Sequence, residues 1–297
     1  MSSKIPTKRS LTSPKQFFRQ TLAVGLGGCL AGFLALTTAK AMAATPQKDQ
    51  MQMIQQRGVL RIGVSPDLPG MSRRTAGKPG FEGAEASLAL LIGTGLLGKT
   101  TKVALVGVDS PERLARLADG TIDLVVAQLT ITAQRQQLVD FSTPYITAHE
   151  ALLLPVNSPV ERLSQLIGKQ VSVAEGSASQ QRYTSSWPGI GLRSTNLESG
   201  GFELLRRGEV SAWANDNTNI LGTFTAAPDR QRFRLLDVGA CFPAKPFGIA
   251  IKKGNPGLLA LINARLAEQE RTGKLQKLFA AVTPKPREAP KPEEVCR

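Results

Sequence analysis

Histidine and aromatic residues are scarce in this chain. It has a single histidine, His149, and an aromatic content of 5%. One histidine argues against a histidine-based metal cluster and against a Ser/His/Asp catalytic set. Few aromatic side chains and the lack of a Lys/Arg tract argue against nucleic-acid binding, which uses basic patches and stacking platforms. We therefore expect no metal, no cofactor and no nucleic-acid partner.

Acidic residues are absent from the first 43 residues. This segment carries six Lys or Arg residues, so the formal net charge falls from +14 to +8 without it. Its basic start, its apolar run "TLAVGLGGCLAGFLALTTA" and the small residues "AMA" at 41–43 are typical of an export signal. We expect cleavage near Ala43 and a periplasmic mature protein. An uncleaved membrane anchor and lipidation at Cys29 stay open as alternatives.

Cysteine is equally rare, with three in the chain. Once residues 1–43 are removed, Cys241 and Cys296 are the two that remain, and in an oxidising compartment they predict one disulfide. This bond would tie the C-terminal segment "TPKPREAPKPEEVCR" to the body of the protein. Two free or metal-binding thiols are the alternative.

The rest of the sequence alternates β-rich and helical segments. The first series predicts strands at 59–64, 101–108 and 121–129, with helices at 85–98 and 110–120. The second predicts strands at 150–156, 170–176, 210–216 and 232–238, with helices at 160–168, from 177 and at 201–208, before a segment at 247–254 and a helix at 256–275. Two α/β units are therefore expected, and ligands of such folds bind beyond the carboxyl ends of the strands.

The positive charge of Arg135 is unusual for its position. Thr132 is predicted to cap a helix, which places Arg135 in the first turn, where the helix dipole favours Asp or Glu. A cation beside exposed N–H groups is expected if an anion binds between them. Exposure of Arg135 to water is the alternative.

One long run, "GTIDLVVAQLTITAQRQQLVDFSTPY", is similar almost residue by residue to a signature of a known family. With "GVLRIGV", "LIGKQVSVAEGS", "LLRRGEVSAWAND" and "FGIAIKKGN" in this order, the chain resembles the family 3 extracellular solute-binding proteins, which deliver amino acids to bacterial ABC importers. The resemblance covers residues 57–280. It implies an α/β, two-lobed periplasmic binding protein type II fold with two hinge crossovers, near 147–151 and 243–248.

The resemblance also implies a division of the chain into segments. These are a signal peptide (1–43), a linker (44–56), the first part of lobe 1 (57–148), lobe 2 (149–245), the return segment of lobe 1 (246–282) and a C-terminal tail (283–297).

A ligand set follows from the same resemblance. It implies that Arg135 binds the α-carboxylate of an amino acid and that Asp216 binds its α-ammonium group, with a helix cap as the alternative role for Asp216. Arg113 and Ser110 match the position that binds the distal carboxylate in the glutamate and aspartate branch. The other implied ligand-site residues are Thr130, Gln128, Ser177 and, with Arg74 at the cleft mouth, Arg73.

The implied function is capture of a polar or acidic L-amino acid by a monomeric binding protein and its delivery to an ABC transporter permease. The alternative on the same scaffold is a periplasmic cyclohexadienyl (prephenate or arogenate) dehydratase, with Glu82, Glu85 or Glu175 as the acid. We expect each of these glutamates to be a solvated surface residue instead.

Overall fold

The computed structural model describes residues 49–77, 79–97, 102–283 and 290–297. The predicted export signal, Cys29 and the first part of the predicted linker lie outside these residues. Among the helices in the described ranges, none has the length and apolar composition of a membrane span.

Strands and helices alternate along the first part of the chain. In order, these elements are α1 (Gln50–Arg57), β1 (Val59–Val64), β2 (Asp67–Leu68), β3 (Ser72–Arg74), β4 (Phe81–Glu82), α2 (Ala84–Leu97), β5 (Lys102–Gly107), α3 (Arg113–Ala118), β6 (Leu124–Val125), α4 (Ala133–Gln136), β7 (Val139–Phe141) and β8 (Ile146–Ala148).

The second part continues the alternation and adds three 3₁₀ turns, at Leu163–Leu166, Arg230–Arg232 and Gly239–Cys241. Its elements are β9 (Glu150–Pro155), β10 (Gln170–Ala174), α5 (Ala178–Ser186), β11 (Gly191–Thr195), α6 (Gly200–Arg206), β12 (Ala212–Asp216), α7 (Asn217–Ala226), β13 (Phe233–Asp237), β14 (Lys245–Phe247), β15 (Ala250–Lys252), α8 (Pro256–Arg271), α9 (Lys274–Phe279) and α10 (Pro292–Val295).

The first large sheet has five strands in the order β5-β1-β6-β15-β7. Strand β1 pairs in parallel with β5 and β6, whereas the late strand β15 runs antiparallel between β6 and β7. We call this sheet, its helices and the small β2-β3-β4 sheet lobe 1.

The second large sheet has the order β11-β10-β12-β9-β13. Strand β10 pairs in parallel with β11 and β12, and β9 runs antiparallel between β12 and β13. We call this sheet and its helices lobe 2. The remaining strands, β8 and β14, pair with each other and each leads from one lobe to the other. The predicted α/β fold with two lobes and two crossovers is confirmed.

Hydrophobic side chains pack on both faces of the lobe 2 sheet. In β9, Leu152 and Leu154 belong to one buried cluster, whereas Ala151 and Leu153 belong to another. This division arises because successive strand residues point to opposite faces. None of the four hydrophobic clusters of the described chain joins the two large sheets, and one of them also includes Ala148 and Phe247 of the crossover strands, so each lobe has its own core.

Part of the predicted linker is a helix. Residues 50–56 belong to α1, which Asp49 caps by accepting a hydrogen bond from Met51 N at 3.0 Å. The Gln50 side chain donates to Asp123 O of lobe 1 at 2.9 Å, so the helix is fixed to the sheet. Gly58, with a φ of 72°, ends it in the left-handed conformation that glycine adopts without strain.

Three other predicted elements differ from the structure. The helix expected at 160–168 is one 3₁₀ turn, because Ile167, with φ −58° and ψ 131°, and Gly168, with φ 78°, leave the helical conformation. Of the strand expected at 121–129, only Leu124 and Val125 form a strand, and the backbone of Gln128 is left-handed rather than extended. The helix expected at 256–275 is divided by Gly273, whose φ is 68°.

The last described residues, 290–297, pack on lobe 2. Cys296 and Cys241 form a disulfide, with their Cα atoms 5.4 Å apart. The carbonyl of Cys296 also accepts a hydrogen bond from Ser164 N at 3.0 Å. The predicted disulfide is therefore confirmed.

Candidate functional site

Polar residues at the carboxyl ends of strands meet where the lobes face each other. In lobe 1, Ser65 follows β1 and residues 128–130 follow β6; in lobe 2, Ser177 follows β10 and Asp216 ends β12. This is the edge at which α/β sheets bind ligands. Most of the side chains predicted from the sequence lie in this cleft, although they belong to separate lobes.

Arg135 extends from the one-turn helix α4 to the opposite lobe. The helix is capped as predicted, because the Thr132 hydroxyl accepts a hydrogen bond from Arg135 N at 3.2 Å. The guanidinium donates from Nη1 to Thr130 O at 2.9 Å and from Nη2 to Gly176 O of lobe 2 at 3.0 Å. Burial, with a contribution from nearby Arg113, lowers the pKa of Arg135 to about 10, so the group stays charged at neutral pH.

Gln128 has a left-handed backbone, with a φ of 45°, which no other described non-glycine residue adopts. Its Oε1 accepts a hydrogen bond from Ser65 Oγ at 2.7 Å, and its backbone N–H donates to Glu85 Oε1 at 2.8 Å. Its Nε2 is buried without a hydrogen-bond partner among the described residues. Such backbone strain costs about 1–3 kcal/mol and is typical of binding sites.

Glu85 is fully buried, so the expectation of a solvated residue is wrong for it. At the start of α2, its side chain points into lobe 1, where Oε1 also accepts a hydrogen bond from the Tyr145 hydroxyl at 2.5 Å. Burial raises the pKa of Glu85 to about 7. The other two candidate acids, Glu82 and Glu175, are exposed as expected.

Arg113 and Ser110 lie together, and their common partner is a carboxylate of lobe 2. Arg113 Nη2 is 3.2 Å from Glu198 Oε1, and the Ser110 hydroxyl donates to the same oxygen. The side chains of Arg113 and Glu198 are 2% and 5% exposed. The expected role of Arg113, binding a distal carboxylate of the ligand, stays a prediction. In the structure, the Arg113 guanidinium forms an ion pair with the carboxylate of Glu198.

Asp216 lies beside a buried lysine on the crossover strand β14. Lys245 Nζ is 2.8 Å from Asp216 Oδ1, forms a second ion pair with Glu150 Oε2, and donates to Ser179 Oγ at 2.7 Å. Burial acts to lower the pKa of Lys245, but the two carboxylates outweigh it and raise the pKa. Asp216 Oδ1 therefore shares the Lys245 ammonium with Glu150 Oε2.

The alternative role of Asp216, a helix cap, is not realised by its side chain. Asp216 stands at the N-cap position of α7 but makes no side-chain capping hydrogen bond. Ser177, by contrast, caps α5, since its hydroxyl accepts a hydrogen bond from Gln180 N at 3.1 Å. The first amides of a helix have no intrahelical acceptor, so those of Ala178 and Ser179 remain for another partner.

Arg73 lies at the rim of the cleft. Its guanidinium is half-exposed and 2.6 Å from Glu82 Oε1. It lines an open groove of about 210 Å³ with Ser199 and Arg206 of lobe 2. Neighbouring Arg74 lies over the Phe81 ring, 5.0 Å from its centroid. Direct ligand contact by Arg73 stays a prediction.

Sequence reasoning missed several charged and polar residues of the cleft. No recognised motif contains Glu198, Lys245 or Glu150. A buried charge needs a partner of opposite charge, but sequence spacing does not identify which residue that partner is. Tyr145 does end the signature run, so its place in the motif could have marked it.

Comparisons with known proteins place this geometry in context. Residues 60–282 match the bacterial extracellular solute-binding proteins, family 3. The ABC transporter glutamine-binding protein GlnH of Bacillus subtilis is 30% identical over 236 residues, which are 78% of this chain and 84% of that protein. An ancestral arginine-binding protein bound to glutamine has a TM-score of 0.69 and 31% identity, over 76% of this chain and 98% of its own. An ancestral amino acid-binding protein described as a precursor of cyclohexadienyl dehydratase has a TM-score of 0.70 and 25% identity, over 78% and 98% of the two chains.

Proposed function

Because this chain belongs to family 3 of the bacterial extracellular solute-binding proteins, we propose that it captures a polar or acidic L-amino acid between its lobes and delivers it to an ABC importer. It would do so in the periplasm, as a monomer, with the ligand passed to a permease in the inner membrane. The observation that carries this proposal is the position of Arg135 and Asp216, an arginine and an aspartate that face one cleft from opposite lobes.

The cation is Arg135, which would bind the α-carboxylate. Its guanidinium has five N–H donors and uses two of them in protein hydrogen bonds, which leaves three for a ligand. No carboxylate of the described residues lies within ion-pair distance of it. The amides of Ala178 and Ser179 at the start of α5, and the hydroxyl of Thr130, would complete this end of the site. Charge-assisted hydrogen bonds of this kind contribute about 1.5–3 kcal/mol each.

The anion is Asp216, which would accept the α-ammonium group. It is buried in lobe 2, where Lys245 Nζ lies 2.8 Å from its Oδ1. Lys245 shares its charge between Asp216 and Glu150, so the pair of carboxylates keeps a net negative charge for a ligand ammonium. Since Arg135 and Asp216 belong to different lobes, one bound zwitterion joins both.

We propose that the protein binds without catalysis. The relatives compared above are named as binding proteins, although one of them is described as a dehydratase precursor. Among the three candidate acids, Glu85 forms a hydrogen bond with a predicted ligand-site residue, Gln128. Its carboxyl is enclosed in lobe 1 by Tyr145 and Gln128, whereas a general acid has to reach its substrate. The dehydratase alternative is therefore not favoured.

A ligand panel tests the proposal. We expect the purified protein to gain thermal stability with one or a few of the twenty L-amino acids and none with prephenate, because ligand at 100 times its Kd adds about 2.7 kcal/mol. Arg135→Ala should abolish the response to every ligand. Arg265→Ala, which changes an exposed arginine of α8, is the matched control and should leave the response intact. A flat response to all twenty amino acids, or turnover of prephenate, would contradict the proposal.

A further inference from the structure

We infer that Glu198 determines ligand specificity: by pairing with Arg113 it leaves the side-chain part of the cleft without an available cation, so the site prefers an amino acid with an uncharged side chain over one with an acidic side chain. This inference rests on the proposed function, because Arg135 and Asp216 are assigned to the two charges of the ligand backbone. It adds a specificity residue to the set predicted from the sequence and excludes acidic ligands.

The guanidinium of Arg113 has almost no capacity left for a ligand. Nε donates to Ser110 O at 3.2 Å, Nη1 donates to Ala127 O, and Nη2 donates both to the Ser110 hydroxyl and to Glu198 Oε1 at 3.2 Å. Four of its five N–H donors are therefore engaged. A distal carboxylate on the ligand would have to displace Glu198 from this buried position.

Glu198 is itself held from both sides. One oxygen faces Arg113, and the other accepts a hydrogen bond from Asn215 Nδ2 at 3.2 Å. The next residue, Ser199, donates its N–H across the cleft to Asp67 Oδ2 at 2.7 Å. Because both oxygens already have donors, Glu198 offers no unpaired anion to a cationic ligand side chain either.

The other charged side chains of the cleft differ in whether a group of opposite charge lies beside them. Lys245 is paired with Glu150 and Asp216, and Arg113 is paired with Glu198, whereas Arg135 has no carboxylate within 4.0 Å among the described residues. Asp67, which accepts the Ser199 N–H, lies near Glu198 and has no cation within 4.0 Å among the described residues, so the uncompensated charge beside Glu198 is negative. A second carboxylate on the ligand would lie near Glu198 in a poorly hydrated site, where like charges repel strongly.

Isothermal titration calorimetry with the twenty L-amino acids tests this directly. We define the selectivity ratio as the affinity for the tightest uncharged ligand divided by that for the tighter of L-glutamate and L-aspartate. We expect a ratio of at least 10 for the wild-type protein.

Three variants separate a charge effect from a structural one. Glu198→Gln should release the Arg113 guanidinium and lower the ratio at least tenfold. The double variant Arg113→Gln/Glu198→Gln removes both charges and should return the ratio toward the wild-type value. Glu203→Gln, an exposed residue of α6, is the matched control and should leave the ratio unchanged.

The outcomes are distinguishable from failure of the proposed function. A response to no amino acid contradicts the proposed function itself. Wild-type preference for an acidic ligand overturns the specificity inference and leaves the proposed function in place. An unchanged ratio in folded Glu198→Gln, or an equal change in the double variant, also overturns it. If Glu198→Gln does not fold, the wild-type ratio decides.

Discussion

The buried carboxyl of Glu85 makes the stability of the protein depend on pH. Its pKa is about 7 in the folded protein, against 4.5 for an ordinary glutamate, because burial disfavours the charged form. The folded state therefore holds its proton more tightly than the unfolded state does. The stability contributed by this group is present below pH 4.5 and is lost as the pH rises to about 7.

Replacing Glu85 with glutamine should remove this dependence. The amide keeps an oxygen that can accept the hydrogen bonds from Tyr145 and Gln128, but it cannot ionise. From the two pKa values, the wild-type residue loses about 2–3 kcal/mol of stability between pH 5 and pH 8. The unfolding free energy of Glu85→Gln minus that of the wild type should therefore rise by about 2–3 kcal/mol over this interval.

Urea denaturation of both proteins at pH 5 and pH 8 measures the difference. Glu82→Gln is the control, because Glu82 is half-exposed and paired with Arg73, and its difference from the wild type should change little with pH. An unchanged difference for Glu85→Gln at the two pH values would refute the assignment of a raised pKa to this carboxyl.

Two further predictions concern closure and stability. A Cβ atom on Gly222 of lobe 2 would lie 2.2 Å from the carbonyl oxygen of Pro69 in lobe 1. Gly222→Ala should therefore weaken amino acid binding about 5- to 150-fold in calorimetry, because overpacking costs about 1–3 kcal/mol. Gly257→Ala is the control and should leave the affinity unchanged, because a Cβ there meets nothing within 4 Å. Equal affinities of Gly222→Ala and the wild type would contradict this prediction. Cys296→Ser opens a disulfide loop with a sequence separation of 55 and should lower the free energy of unfolding by about 4 kcal/mol. Equal denaturation midpoints of the wild-type protein with and without reductant would disprove this.

The candidate site was predictable wherever a local pattern carries it. Thr132 caps its helix as its sequence position predicts, because a cap depends on residues within three positions. Arg135 was recognisable as a cation in the wrong place on a helix. The buried position of Glu85 was not predictable, because the residues next to it in sequence do not reveal that lobe 1 encloses it.

The sequence by itself determined the α/β class, the positions of most strands along the chain and the cysteine pair, because these follow from local periodicity, capping and residue counts. Only the tertiary structure decided the partners of the buried charges. Arg113 and Glu198 are 85 positions apart, and Lys245 reaches Glu150 across the paired crossovers. An ion pair forms between whichever groups the fold brings within a few ångströms, and this choice depends on the packing of both lobes rather than on any one segment.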